Sequence, residues 1–457
     1  MNCEKNASAF FFRIIRKVGM GEGVKNMSLN FDNTRIREHM LDGQFGLEKE
    51  SLRVTFDGHL AHTKHPFGSD PHMERDFCEN QTELITGVCD SIDAVWKEMA
   101  GLHKKAVKIL FHLESGREFL WPFSNPPYVK GEEDIPIASY HGILKGKERY
   151  RRYLAEKYGK KKMLFSGIHF NYSFPESILK EGYRESNAST FRQYKDQIYM
   201  ELAKKITRYS WLLVYLTAAS PVLDGSFFED DARGKTIIRD YGSARCSEIG
   251  YWNDFVPLLD YKNLETYVSS IEEYIEQGQL KEAAELYYPV RLKPAGENSL
   301  NHLREKGVNH IELRVFDLNP LSPVGIMKED LQFIHLFLLY LMSLEDREFE
   351  SFEQMMAIKN EKRAARYEER RIWIETGWST SMPVRDAALH VLFGMEQFFQ
   401  KFGGAYYRDV MEYQKRKLIH PEYRYVVAVR EEYQKEYVEQ GLELARRYAE
   451  GIDEERI

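Results

Sequence analysis

Several strand-like segments of this 457-residue chain place acids, a histidine and an arginine at spacings that give them a common face. In Phe45-Gly46-Leu47-Glu48-Lys49-Glu50-Ser51-Leu52-Arg53 the two glutamates are two residues apart. Both side chains therefore leave the same side of an extended strand, with Cα atoms about 7 Å apart. Ile168-His169-Phe170-Asn171-Tyr172-Ser173-Phe174 puts its large apolar residues on one face and His169, Asn171 and Ser173 on the other. Ile311-Glu312-Leu313-Arg314-Val315 does the same for Glu312 and Arg314, and the stretch Glu74 to Thr86 adds Asp76 and Glu83. If these strands share a sheet, its polar face gathers carboxylates with a histidine, an amide and an arginine. Carboxylate oxygens suit Mg²⁺ or Mn²⁺, which keep open positions for substrate phosphates. So many facing carboxylates would repel one another without a cation. An arginine among them suits an anion such as a phosphate.

Each feature also has a plainer reading. Two glutamates at i and i+2 can be a strand's solvent face, His169 a structural hydrogen-bonding histidine, and Glu312 with Arg314 a cross-strand ion pair. The residues alone leave both readings open. Other chemistries are excluded more firmly. Arg233-Gly234-Lys235-Thr236 resembles the end of a P-loop, but Glu229 stands where its first glycine belongs, and Gly19-Met20-Gly21-Glu22-Gly23 does not complete GxGxxG. There is no HExxH and no GxSxG. The four cysteines Cys3, Cys78, Cys89 and Cys246 form no CxxC, so no zinc knuckle or redox pair is expected.

The elements that must position these residues are helices between widely separated strands. Strands are expected at Gln44 to Val54, Gln81 to Ile85, Gly167 to Phe174 and His310 to Leu318. Helices are expected at Ser91 to Leu113, Lys145 to Tyr158, Phe191 to Ala219, Leu264 to Tyr288, Lys328 to Leu344 and Asp386 to Phe402. Without strict βα alternation this is an α+β fold, one mixed or antiparallel sheet flanked by helices. No repeat or long linker divides the chain, so one domain is the simpler reading. With 64 Lys plus Arg against 71 Asp plus Glu, a net charge of −7 excludes a nucleic-acid coat. No apolar run reaches the ~20 residues of a membrane span, and the cysteine usage suits a reducing cytoplasm. The N-terminal Phe10 to Ile15 run is broken by Arg13 and lacks a cleavage site, so residues 1–36 are expected to be a loosely ordered extension, with Met20 or Met27 as later start candidates. The basic segment Lys145 to Lys162 could grip phosphates or be a solvated helix face. The tail from Arg430 to Ile457 reads as an exposed charged helix.

At these same residues the chain resembles a family. Gly46 to Arg53, Asp76-Phe77 with Glu83, Ser166 to Asn171, and Ile311 to Arg314 followed by Asp317-Leu318-Asn319-Pro320 are similar to the ordered motifs of bacterial glutamate-cysteine ligase. The resemblance implies a curved sheet of the glutamine-synthetase-like catalytic fold over residues 37–425, with 426–457 a charged C-terminal helix packed on or extending from it. It implies ATP-dependent ligation of the glutamate γ-carboxylate to the cysteine amine through γ-glutamyl phosphate, the first step of glutathione synthesis. Carried over by motif, Glu48, Glu50, Asp76, Glu83, His169 and Glu312 are the implied ligands of Mg²⁺, with Mn²⁺ possible, and ATP is co-substrate. Arg314 is the implied catalytic residue at the transferring phosphoryl group. Asn171 and Arg291 are implied beside the nucleotide, and Phe77, Tyr140, Arg245, Tyr251 and Tyr287 beside the amino acid substrates. Cys78 is read as a packing residue. The implied partners are small molecules, with no nucleic acid, membrane or obligate protein partner. Some relatives carry a further C-terminal ATP-grasp domain that adds glycine; none is expected here, so glutathione itself is not the expected product. The alternatives are a ligase of the same fold with another amine acceptor, and a non-catalytic relative, against which the retained acids and Arg314 count.

Overall fold

A computed structural model of the chain describes residues 28–451 apart from 230, 231, 233 and 378. The glycine-rich run at 19–23, the start candidates Met20 and Met27, Arg233 of the P-loop-like stretch and most of the expected extension lie outside these residues. The described part of that extension is not loose: Leu29, Phe31 and Ile36 are buried in the main core.

The strands, in chain order, are β1 (Gln44–Thr55), β2 (Met73–Arg75), β3 (Gln81–Ile85), β4 (Glu118–Leu120), β5 (Gly167–Ser173), β6 (Val222–Asp224), β7 (Thr236–Ile238), β8 (Val290–Lys293), β9 (His310–Asp317), β10 (Trp373–Gly377) and β11 (Thr380–Pro383). The main sheet runs β2-β3-β1-β5-β9-β8, with β4 pairing the far end of β1, and every neighbouring pair in it is antiparallel. The choice between a mixed and an antiparallel sheet is thereby decided. The β6-β7 and β10-β11 pairs stand apart.

Alternation governs the sheet's two faces, because successive side chains of a strand point opposite ways. Leu47, Ile168, Phe170, Tyr172, Ile311, Leu313, Val290 and Leu292 all enter the main core. Over them lie the helices Ile92–Phe111, Phe191–Thr217 and Lys328–Ser343, whose buried residues join the same core. The β5-β9 register slips by one residue between Ile168 and Phe170, a bulge on β9 at its Arg314 stretch. Lys49 obeys the alternation too and is buried on the core face. Its Nζ donates to the Pro323 carbonyl at 2.7 Å and lies 3.2 Å from His103 Nδ1. Burial pulls its ammonium down to about 7.

Two helical expectations change. The helix expected from Leu264 to Tyr288 ends at Glu276. Gly278 turns the chain at φ +72°, and the amides of Gln279 and Leu280 fold back onto the Tyr274 carbonyl. The charged tail forms two helices, Tyr425–Tyr433 and Tyr437–Ala449, and is not simply exposed. Its charges hide an apolar stripe of Tyr437, Leu444, Ala445 and Tyr448, buried in a second core with Trp121 and Phe123. Tyr437 seals it, donating from its hydroxyl to the Asn125 carbonyl at 2.8 Å.

Candidate active site

The other face of the main sheet carries the acids. Pairing sets Glu48 opposite His169, Glu50 opposite Glu83, and Asn171 and Arg291 on either side of Glu312. Four separate motifs are thus brought within a few ångströms by strand register alone.

Three of the six implied metal ligands form the tight centre. Ligand atoms of Glu48, Glu83 and His169 all lie within 4.8 Å of one another. His169 Nδ1 is 3.0 Å from Glu48 Oε2, and Asn171 donates to Glu48 Oε1 at 2.9 Å. Glu50 comes next: its Oε2 accepts the Gly167 amide at 2.8 Å, and its Oε1 is 3.5 Å from His169 Nε2. That nitrogen is buried and has no hydrogen-bond partner among the described residues. Glu312 is already neutralised, one oxygen by Lys293 at 2.5 Å and the other by Arg314. Asp76 lies just past β2, at the turn into β3, where its amide donates to Gln81 O.

The charge balance divides these acids. Glu83 is pushed well above the usual carboxylate range, first by burial and then by Glu48, Asp76, Glu50 and Glu312. Burial also raises Glu50, with His169 opposing. Burial raises Glu312 as well, but Lys293 and Arg314 outweigh it and hold the carboxyl well below its usual range. For Glu48 burial and Glu312 are outweighed by the contact with His169, and the net shift is downward. A hard cation among Glu48, Glu83 and His169 would relieve Glu83, the member of that trio that the protein's own cations leave unbalanced, so the donor set fits Mg²⁺ or Mn²⁺.

The residues expected beside substrate divide as well. Arg245 lies under β5, its Nη1 donating to the Arg314 carbonyl at 2.5 Å. Gly167 makes this possible, because a Cβ there would stand 2.5 Å from the Arg245 guanidinium. The loop carrying Arg245 is held by Asp317, which accepts from Ser243 and Ser220 at 2.8 and 2.7 Å. Tyr251 and Tyr287 meet edge to face at 4.6 Å and line a small cavity with Arg245 and Arg314. Phe77 is buried in the second core near Tyr287. Tyr140 is clamped between Arg75 and Arg151, its ring centroid 4.4 and 4.9 Å from their guanidinium carbons, and Arg151 also donates to the Asp76 carbonyl. Arg291 has part of its guanidinium committed elsewhere: Nε donates to the Leu286 carbonyl, and Nη2 to the Ala284 and Leu286 carbonyls, each at 2.6 Å. Cys78 is buried, and burial with Asp76 pushes its thiol well up, as befits a packing residue.

The basic segment is largely tied to the protein: Lys157 to Glu285, Arg152 to Glu148, Lys160 to the Glu132 carbonyl and Lys161 to the Ser226 carbonyl. Sequence reasoning passed over Lys293 and the Gly167 amide. The alternation Val290-Arg291-Leu292-Lys293 signals Lys293, since it puts both cations on the face of Glu312; a backbone amide leaves no signal.

The glutamate-cysteine ligase family model matches residues 29–364. A glutathione biosynthesis bifunctional protein GshAB from Listeria monocytogenes serovar 1/2a is 39% identical over 435 residues, covering 92% of this chain and 56% of that protein. Its counterpart from Listeria welshimeri is 40% identical over 416 residues, covering 88% and 53%. The chain thus spans about half the length of the curated relatives it matches. Among solved structures, a bifunctional glutathione synthetase from Pasteurella multocida aligns with a TM-score of 0.79 at 27% identity, over 93% of this chain and 55% of that one. A glutamate-cysteine ligase from Francisella tularensis, solved in complex with AMP, aligns with a TM-score of 0.78 at 24% identity, over 90% and 89%. Both likenesses bear out the α+β fold expected from the motifs. Among the described residues no helix is long and apolar enough to cross a membrane.

Proposed function

The chain belongs to the glutamate-cysteine ligase family, and on that premise we propose that it joins the γ-carboxylate of glutamate to the amine of cysteine, with ATP as co-substrate, giving γ-glutamylcysteine, ADP and phosphate. The observation that carries this reading is the convergence of Glu48, Glu83 and His169 beside Arg314 on one sheet face.

In this reading the glutamate γ-carboxylate attacks the γ-phosphorus of ATP and ADP leaves, forming an acyl phosphate. The cysteine amine then adds to the activated carbonyl, and phosphate leaves as the amide forms. A divalent cation held by Glu48, Glu83 and His169 would offset the charge of the transferring phosphoryl group. The chain's own part is positioning and electrostatics. Arg314, held by Glu312, presents a fixed fork of donors to the equatorial oxygens. Asn171 and His169 orient the Glu48 carboxylate, and the Gly167 amide orients Glu50. Arg245 and the Tyr251-Tyr287 pair form the amino acid end of the face. No protein nucleophile is needed.

The test is ADP release from ATP and glutamate across a panel of amines, with and without a divalent cation. Release that depends on both cysteine and the cation is expected. Release with every amine except cysteine would replace the acceptor, and silence with all of them would overturn the ligase reading.

A further inference from the structure

The residues that wall the amino acid end of the acid-bearing face come from three separate segments. Tyr251 sits on the loop that follows Arg245, and Tyr287 on the stretch leading into β8. Tyr158 ends the basic helix Lys145–Tyr158, its ring edge to face with Tyr287 at 5.6 Å. None of the three lies in the main sheet, so strand register cannot hold them. One buried side chain joins them. Asn253 stands two residues past Tyr251 and is 7% exposed. Its Oδ1 accepts the Tyr287 amide at 3.0 Å, and its Nδ2 donates to the Glu285 carbonyl at 2.8 Å and to the Tyr158 hydroxyl at 3.1 Å. Both N–H donors of its amide are thereby spent on the other two segments.

Glu285 fastens the same joint from its other side. It is fully buried, its Oε1 accepting from the Tyr158 hydroxyl at 2.7 Å and from Lys157 at 2.6 Å, and its Oε2 from the Lys281 amide at 2.5 Å. A buried carboxylate needs such partners, and they show where Lys157 of the basic segment is spent: on bracing this joint. What the joint presents is a hydroxyl. Tyr287 Oη is buried and has no hydrogen-bond partner among the described residues. Burial pushes its pKa well up, and Tyr251, Tyr150 and Tyr158 beside it add to the shift, so it stays a neutral donor. Glutamate brings two carboxylates, which call for the cations Arg245 and Arg314, whereas cysteine brings an apolar thiol arm, which suits the tyrosine rings. We infer that Asn253 and Glu285 are positioning residues for the acceptor amine. They fix Tyr251 and Tyr287 at the spacing that selects cysteine, and touch no substrate themselves.

This inference rests on the ligase reading, and the way KM values divide tests it separately. Steady-state kinetics on the full chain and on Asn253→Ala, Asn253→Asp and Tyr158→Phe vary cysteine, glutamate and ATP in turn. The acceptor series is repeated with α-aminobutyrate, in which a methyl group replaces the thiol. Asn253→Ala releases the Tyr287 amide and should raise KM for cysteine about tenfold while leaving KM for ATP and for glutamate within about twofold. Asn253→Asp keeps the size but turns a second oxygen on the Glu285 carbonyl; it should act in the same way, and decides the matter if the alanine variant does not fold. Tyr158→Phe keeps its ring against Tyr287 and loses only the hydroxyl, so it should raise the same KM about threefold. The preference for cysteine over α-aminobutyrate should fall in all three. A merely structural role lowers turnover with every substrate alike and leaves each KM in place; that result overturns the inference. So does a KM for glutamate or ATP that rises as much as that for cysteine. Either result leaves the ligase reading intact, whereas a wild-type chain that forms no product with cysteine overturns both.

Discussion

Replacing Glu83 by glutamine should stabilise the metal-free protein while disabling it. The carboxylate oxygens of Glu83 and Glu48 approach within 4.8 Å. At an effective dielectric of about 20, two like charges at that distance repel by about 3 kcal/mol. Glu83 has no hydrogen bond or ion pair among the described residues to offset this, and its neighbouring acids push its pKa well up after burial has done so. A carboxylate whose folded-state pKa exceeds its unfolded value lowers stability above that pKa. The deficit shrinks as pH falls through the folded pKa and is gone below the unfolded value. Glutamine keeps the shape and removes the charge, so in chelator the variant should be about 2–3 kcal/mol more stable than wild type near pH 8. The gap should narrow as the solution is acidified. Mg²⁺ should close the gap, since a ligand at a hundredfold excess over its dissociation constant adds about 2.7 kcal/mol to the protein that binds it. Urea unfolding of both proteins, with and without Mg²⁺ at two pH values, reads all of this. A metal-free variant less stable than wild type, or equal stabilisation of both by Mg²⁺, would refute the reasoning.

Glu48→Gln and Glu312→Gln should each lower ligase turnover at least a hundredfold, but only the second should cost about 3–5 kcal/mol in thermal unfolding, because it strands Lys293 and Arg314; near-wild-type turnover of both at saturating Mg²⁺ would sink the metal assignment. Gly167→Ala drives a methyl into the Arg245 guanidinium and should raise KM for the amino acid substrates about tenfold while sparing ATP, as steady-state kinetics would show. Tyr437→Ala should cost about 3–5 kcal/mol in denaturant unfolding, as for a buried aromatic of the core; an effect under about 0.5 kcal/mol would mean the tail is a surface helix after all.

How far the sequence revealed this arrangement follows from its periodicities. Strands with clean alternation were legible almost to the residue: Gln81–Ile85 has the expected bounds, and Glu48, His169 and Glu312 share the expected face. The three-residue strands were not, because so short a run carries no period. The helix from Leu264 is shorter than its sequence pattern implies, because that pattern continues past Gly278, where only backbone conformation stops it. The tail misled by composition: a stripe of tyrosines and leucines among many charges is amphipathic, and the charges hid its buried side. In the site, parity could place a side chain on a face but not aim its end. Arg291 has the right parity, yet the Leu286 and Ala284 carbonyls, five and seven residues back in the chain, take its Nε and Nη2. Glu312 likewise has the right parity, but its partners Lys293 and Arg314 become visible only when β8 is laid beside β9.

The most direct measurement of the central claim follows oxygen. Glutamate labelled with ¹⁸O in its γ-carboxylate is incubated with ATP, cysteine and Mg²⁺, and the phosphate released is examined by mass spectrometry or by the isotope shift of its ³¹P resonance. Attack by the γ-carboxylate on ATP, with the acyl phosphate then opened by the amine, predicts one ¹⁸O atom in each phosphate. Phosphate released without the label, or no phosphate released in the presence of all three substrates, would contradict the account.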